Sequence, residues 1–279
     1  MSHLKVTILG SGSSGGVPRF GGADGAGDWG ACDPSEPKNR RTRCSILVQR
    51  MEEGAAAAPN ETTSVLIDTS PDMREQLLRA RCARIDSVLY THDHADQSHG
   101  IDDLRVFAIA MRQRIPVYID EKTGGALLSR FAYCFEQAPG SLYPPILDYR
   151  PMPAHGDAFD VDGPSGRVPC RAFLQHHGPV DSLGFRCGAV AYSSDVVGLP
   201  DESFEMLEGL DCWIVDALQY KPHATHAHLD LALEWIDRVK PKRAILTNLH
   251  VHMDYQSLRR QLPENVEPAY DGMVVTAPL

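Results

Sequence analysis

Short apolar runs recur along the chain, and most end on a polar or ionisable residue. Lys5–Leu9 (KVTIL) leads into a glycine-rich stretch, Gly10–Gly16. Ser45–Gln49 and Ser64–Asp68 read as two strands joined by a variable loop, Arg50–Thr63, that carries an alanine run. Asp86–Thr91 ends at His92 and Ala189–Ser193 ends near Asp195. Asp211–Ala217 and Arg243–Asn248 follow the same pattern. Runs that are apolar at consecutive positions and rich in β-branched residues suit strands buried on both faces. Helical spacing lies between them. Ser70-Pro71 supplies a capping hydroxyl and a first-turn proline, where no N–H is missed, so a helix is predicted over Asp72–Ala80. Leu229, Leu233 and Ile236 share one face of a second helix, predicted over Leu229–Val239 and stopped by Pro241. Pro139–Arg171 is rich in Pro and Gly. It reads as loops and short strands rather than a linker, because candidate ligands lie on both sides of it. The pattern predicts an α/β chain, taken as one domain over residues 1–279.

Composition narrows this picture. A hydrophobic fraction of 43% and a charged fraction of 23% are those of a soluble globular protein. The net charge of -10 argues against non-specific nucleic-acid binding, which depends on neutralising phosphates. It leaves room for a small anionic substrate in a locally positive pocket. The seven cysteines are scattered with no C-x-x-C pair, which favours reduced thiols in the cytoplasm. No signal peptide is expected at the N-terminus, and no apolar run approaches the roughly 18 residues of a membrane span.

The candidate chemistry lies at the ends of the predicted strands. Of 12 histidines, ten fall in the groups 92/94/99, 176/177, 223/226/228 and 250/252. In open α/β folds the carboxyl ends of strands line the ligand crevice. Imidazoles converging there with Asp96 and Asp195 are what a Zn²⁺, Mn²⁺ or Fe site requires. In His92-x-His94 the alternation of an extended segment puts two imidazoles on one side, and Asp96 follows two residues later. The glycine run contains Gly10-x-Gly12, but no helix pattern follows it, so a tight loop near a site is expected rather than a dinucleotide cradle.

At this point the sequence resembles the metallo-β-lactamase-fold hydrolases, and within them the PhnP-like phosphodiesterase branch. The resemblance runs through Leu9–Pro18, Asp33–Ser45, Leu66–Asp72, Thr91–Arg105, His177–Arg186, Ala191–Asp195, Pro222–His226 and Tyr270–Met273, in that order. It implies a four-layer αββα sandwich with two divalent metal ions, Zn or Mn, at one edge. His92, His94 and His177 would hold one metal, Asp195 would bridge, and Asp96 would serve the second. His177 is preferred to His176 because Gly178 and Leu183-Gly184 follow it at the family's spacing. Asp68 would brace the metal loop. His226 would be the general acid, Asp96 would orient the nucleophile, and His99, Arg105 and His226 would face substrate. Arg19 and Arg43 are lesser candidates for phosphate contact.

Two departures concern the second metal. Gln97 stands where the superfamily has histidine, and Asn248 aligns with the branch's last metal histidine. His250 lies two residues beyond and would point to the same side of an extended segment, so it is expected to supply the missing imidazole. No structural zinc is expected, because only Cys32 follows the glycine loop and the late position is Val251. The expected activity is metal-dependent hydrolysis of a small cyclic or nucleotide-like phosphodiester by a metal-activated water. The expected partner is a small phosphorylated substrate, with no stable nucleic acid and no membrane; relatives suggest a homodimer. The alternatives are an RNase Z-like endonuclease, a lactonase or thioesterase, and a non-catalytic PqqB-like metal or nucleotide binder.

Overall fold

The computed structural model describes residues 2–52 and 58–279. Residues 55–57 of the alanine run lie outside them. Two seven-stranded sheets form the centre of the molecule. The first takes β1 (Ser2–Gly10), β2 (Ser45–Glu52), β3 (Ser64–Ile67), β4 (Ser87–Leu89), β5 (Ile115–Ile119), β6 (Leu147–Pro151) and β14 (Val274–Pro278) in the order β14-β1-β2-β3-β4-β5-β6. The second takes β7 (Ala158–Val161), β8 (Val168–His177), β9 (Val180–Cys187), β10 (Val190–Ser193), β11 (Cys212–Asp216), β12 (Arg243–Thr247) and β13 (Val266–Pro268) in the order β13-β12-β11-β10-β9-β8-β7. Each sheet is half antiparallel and half parallel. Pairing turns parallel at β3/β4 in the first sheet and at β10/β11 in the second.

The apolar runs explain the layering. In β11, Cys212 and Ile214 face the other sheet, while Trp213 and Val215 face outward under helices. In β3, Val65 and Ile67 face inward and Leu66 outward. A strand covered on both sides has no polar face to show, which is why these segments read as continuous rather than alternating. The helices α1 (Met73–Arg79), α3 (Arg105–Met111), α4 (Glu121–Arg130) and α5 (Ala132–Phe135) cover the first sheet. The helices α6 (Asp201–Glu205), α7 (Leu229–Val239) and α8 (Tyr255–Arg259) cover the second. The short α2 (Ala95–Ser98) lies beyond β4. The result is the expected αββα order. No helix among the described residues is long and apolar enough to cross a membrane.

Both predicted helices form, α7 over the expected Leu229–Val239. Helix α1 begins one residue late, at Met73, because Ser70 Oγ accepts from Asp72 N at 3.0 Å and holds a turn before the helix. Pro139–Arg171 holds β6, β7 and the start of β8, as its composition suggested. The long β8–β9 hairpin was not among the predicted strands. Its polar positions, such as Gln175 and Ser182, are buried and bonded to each other, so the pattern looks too polar for a core hairpin.

After the glycine loop the chain wraps around Arg41, which is 1% exposed. Its Nη2 donates to Met253 O at 2.8 Å and to Asn39 Oδ1 at 3.1 Å, and Nη1 reaches Cys32 Sγ at 3.8 Å. One guanidinium thus ties residues 32–41 to the segment before α8. Arg41→Ala strands the Met253 carbonyl and opens a cavity. The expected loss is about 2–4 kcal/mol of stability, read by urea denaturation; a loss below about 1 kcal/mol would contradict this role.

Candidate metal centre

The site begins with two parallel strand ends. Asp68 follows β3 in the left-handed region, φ 64°. Its carboxylate is buried; Oδ1 accepts from Thr91 N at 2.8 Å and Oδ2 from Thr91 Oγ1 at 2.8 Å. Thr91 leaves β4, so this double bond fixes where the next residues go. Thr69 N donates to Gln97 O and Gly100 N to Thr69 O, both at 2.8 Å, which straps down the loop between. Position 100 must be glycine, because a Cβ there would lie 2.2 Å from Ser70 O.

Thr91 Oγ1 has given its hydrogen to Asp68, so at 3.0 Å it accepts from His92 Nδ1. The lone pair of His92 is therefore on Nε2, which is fully buried and has no hydrogen-bond partner among the described residues. His177 is fixed likewise: its Nδ1 donates to Thr225 O at 2.6 Å, leaving Nε2 free. With His94 these rings stand 4.4–5.2 Å apart, and one donor atom of each lies within 4.8 Å of the others. A buried, unpartnered imidazole nitrogen is costly unless something binds it. A divalent ion held at about 2.0–2.1 Å from each nitrogen fits, since three converging imidazoles are a usual zinc donor set. Burial, and then the neighbouring histidines, hold His92 well below its ordinary pKa, which keeps it neutral as a ligand must be.

Asp195 follows β10, again left-handed, φ 53°. Its Oδ1 lies 3.9 Å from His177 Nε2 and 3.8 Å from His226 Nε2, and these three residues form a second donor group. Its Oδ2 accepts from Gln97 Nε2 at 3.0 Å. His226 Nδ1 sits 2.8 Å from Oδ2 of Asp216, the buried last residue of β11. Burial disfavours its charge, but Asp216, Asp195 and Asp96 outweigh that and raise its pKa to about 9. Asp96 is pushed up to about 6, first by burial and then by Asp195. A cavity of about 360 Å³ opens over these groups, lined also by Ser13 and Ser14 of the glycine loop and by His223 and His250.

The structure thus brings His94, His177, Asp195, Asp96 and His226 around one cavity, with His92 buried against His94 and His177. Three expected residues take other places. His250 lines the cavity but lies outside both donor groups, and its Nε2 faces Arg19 Nη1 at 3.3 Å. The extended segment assumed for residues 248–250 does not exist, because Asn248 is left-handed at φ 62° and turns the chain. His99 ends α2, is exposed, and packs edge-on against Phe131. Arg105 pairs with Asp102 at 2.6 Å and faces a separate depression beside Tyr133 and Tyr143. The turn from α2 into α3 carries both away from the metal loop. Arg43 and Arg19 are paired with Asp72 and Asp28. His176 points outward to Asp181, as the alternation of β8 requires when His177 points in. Asp216 was not anticipated. Its signal is the same as that of Asp68: an acidic residue closing an apolar strand.

The family described as "Beta-lactamase superfamily domain" matches residues 63–250, about two thirds of the chain, and the chain belongs to it. The fold and the histidine–aspartate clusters make it a metallo-β-lactamase-fold hydrolase with donors for divalent metal. Within that superfamily it belongs to the PhnP family. It is 34% identical, over 100% of its own length and 99% of the other chain, to a structure described as a new diphosphatase from the PhnP family, with a TM-score of 0.83. Zn²⁺-bound PqqB from Methylobacterium extorquens shares the fold at 16% identity and TM-score 0.68, covering 97% of this chain and 99% of that one. An octanoyltransferase of Porphyromonas gingivalis is 28% identical over 97% of this chain but only 51% of that protein, so the chain spans about half the length of this curated relative.

The brace generates a prediction. Asp68→Ala frees Thr91 and with it the tautomer and position of His92. Metal affinity, measured by calorimetry on the refilled apoprotein, is expected to fall about 10–100-fold while His94 and His177 are unchanged in sequence. Unchanged affinity would show that Asp68 does not position the ligands.

Proposed function

We propose that the chain is a metal-dependent phosphodiesterase acting on a small, cyclic or nucleotide-like phosphodiester. The observation that carries this reading is the buried, unpartnered Nε2 of His92 converging with His94, His177 and Asp195 beside His226. These four residues would hold a zinc or manganese ion, which supplies Lewis acidity and a water made nucleophilic near neutral pH. The protein groups divide the remaining work. Asp96, at the cavity wall and titrating about 6, is ionised at neutral pH and takes or orients the proton of the attacking water. His226 carries protons on both nitrogens below about 9. Asp216 holds Nδ1–H, so Nε2–H is directed to the cavity and is given to the leaving oxygen. After transfer the imidazole stays bonded to Asp216 in the correct tautomer for the next cycle.

The polar, histidine-lined cavity suits a phosphate ester of modest size. The net charge of -10 supports a small substrate over tRNA. Acyl transfer, the activity named for the Porphyromonas gingivalis protein, needs a nucleophile activated by an adjacent base. Ser13 and Ser14 line the cavity, but among the described residues neither hydroxyl is hydrogen-bonded to a histidine. Both sheets contribute ligands, which supports treating residues 1–279 as one working unit. Seven free cysteines support a reducing, cytoplasmic setting, and a homodimer is the assembly we expect.

Protein stripped of metal and refilled with Mn²⁺ or Zn²⁺ is expected to hydrolyse bis-p-nitrophenyl phosphate, and His92→Ala to lose at least about 10³-fold in kcat/KM. No turnover with either ion, or turnover unchanged in His92→Ala, would refute the reading; faster turnover of lactones or thioesters would redirect it to acyl chemistry. The rate should follow a bell. It falls as pH drops through the Asp96 value of about 6, because the carboxylate protonates. It falls again as pH rises towards the His226 value of about 9, because the acid is lost. A bound cation draws both limbs downward. In His226→Ala the alkaline limb should vanish, with a much larger loss for alkyl than for nitrophenyl leaving groups; equal losses would remove His226 from proton donation.

A further inference from the structure

We infer that this centre is built for one metal ion, and that Gln97 and Asn248 close the position a second ion would need. The inference rests on the metal-dependent reading above and concerns how many ions the donors serve. The two donor groups, His92–His94–His177 and His177–Asp195–His226, are not independent: both use His177. That ring has committed Nδ1 to the Thr225 carbonyl at 2.6 Å, so only one lone pair remains, on Nε2. A single imidazole lone pair binds a single ion.

The groups that would have to compensate are occupied. Asp195 turns Oδ1 toward His177 and His226, and its Oδ2 receives the Gln97 amide N–H at 3.0 Å. Gln97 is fully buried, so the amide cannot swing out to solvent. In this arrangement a cation at Oδ2 would meet the Gln97 N–H, and the side chain's other polar atom, the buried Oε1, is a neutral carbonyl oxygen in place of an imidazole nitrogen. Asn248 places its side-chain amide 3.1 Å from His226 Nδ1, beside Asp216, so it packs against the supported side of that ring and offers no imidazole lone pair to the cavity. Of the other imidazoles lining the cavity, His250 faces the Arg19 guanidinium, whose charge opposes a cation there, and His223 is exposed, accepts from Thr225 N on Nδ1 and lies outside both donor groups. Asp96 lines the cavity but belongs to neither donor group. What is left for a second ion is one unshared carboxylate and an imidazole already held by Asp216, fewer than the three or four protein ligands a zinc site uses.

Chelated apoprotein titrated with Mn²⁺, followed by desalting, metal analysis and electron paramagnetic resonance, tests this. Wild type is expected to retain one equivalent with the spectrum of an isolated Mn²⁺. His92→Ala should lose that ion, with affinity down at least about 100-fold. Gln97→His/Asn248→His should take up a second equivalent and show the exchange-coupled signal of two neighbouring ions. Two tight equivalents with coupling in wild type would overturn the inference. A double variant that stays at one equivalent would overturn the roles given to Gln97 and Asn248; Gln97→His alone, closer to wild type in packing, serves if the double variant folds poorly. Wild type that retains no ion would instead refute the metal-dependent reading itself.

Discussion

The grip of Asp68 on Thr91 is the contact from which the rest of the site follows. Two strand ends from one parallel pair are joined there by a buried carboxylate that accepts from both the N–H and the hydroxyl of one threonine. Because the hydroxyl is spent on Asp68, it accepts from His92, and the tautomer of the first candidate ligand is decided. The left-handed backbone at Asp68, and again at Asp195, turns each side chain off the end of its strand toward the same edge of the sandwich. Strain of this kind is kept where the surroundings over-determine it, and both positions are buried and bonded.

Charge is then divided between two halves of the cavity. On one side, crowding and burial keep His92 neutral and leave a lone pair without a partner. On the other, Asp216 and Asp195 hold a proton on His226 well above neutral pH. The same residue type thus serves as a lone-pair donor in one place and a proton donor a few ångströms away, and the difference is made by a threonine at one ring and a carboxylate at the other. Gln97 stands between the halves, buried, with its amide on Asp195.

Much of this was legible in the sequence because strand ends carry the chemistry. Continuous apolar runs ending at Asp68, His92 and near Asp195 correspond to strands covered on both faces, and the residues just beyond them meet at one edge. The resemblance through the glycine loop and His92–Asp96 anticipated the αββα layers that the two sheets and their helices form. Where side chains lie away from their expected places, the causes are local. His250 was projected along an extended segment that Asn248 bends. His99 and Arg105 were placed by nearness in sequence, but α2 and the turn into α3 rotate them away. The contact between Gln97 and Asp195 joins the two sheets, and no pattern within either segment reports it. Nothing in the local pattern marks Arg41 as buried, because its burial depends on residues near 253 that fold over it.

The chemistry of this site depends on the identity of the first coordination set, which X-ray diffraction from metal-loaded crystals, with anomalous data at the metal edge, tests most directly. The predicted result is a single strong peak with nitrogen from His92, His94 and His177 at about 2.0–2.1 Å and an oxygen of Asp195 at about 2.0–2.2 Å. A metal peak lying instead between Asp96 and His250, or coordinated without His177, would contradict it.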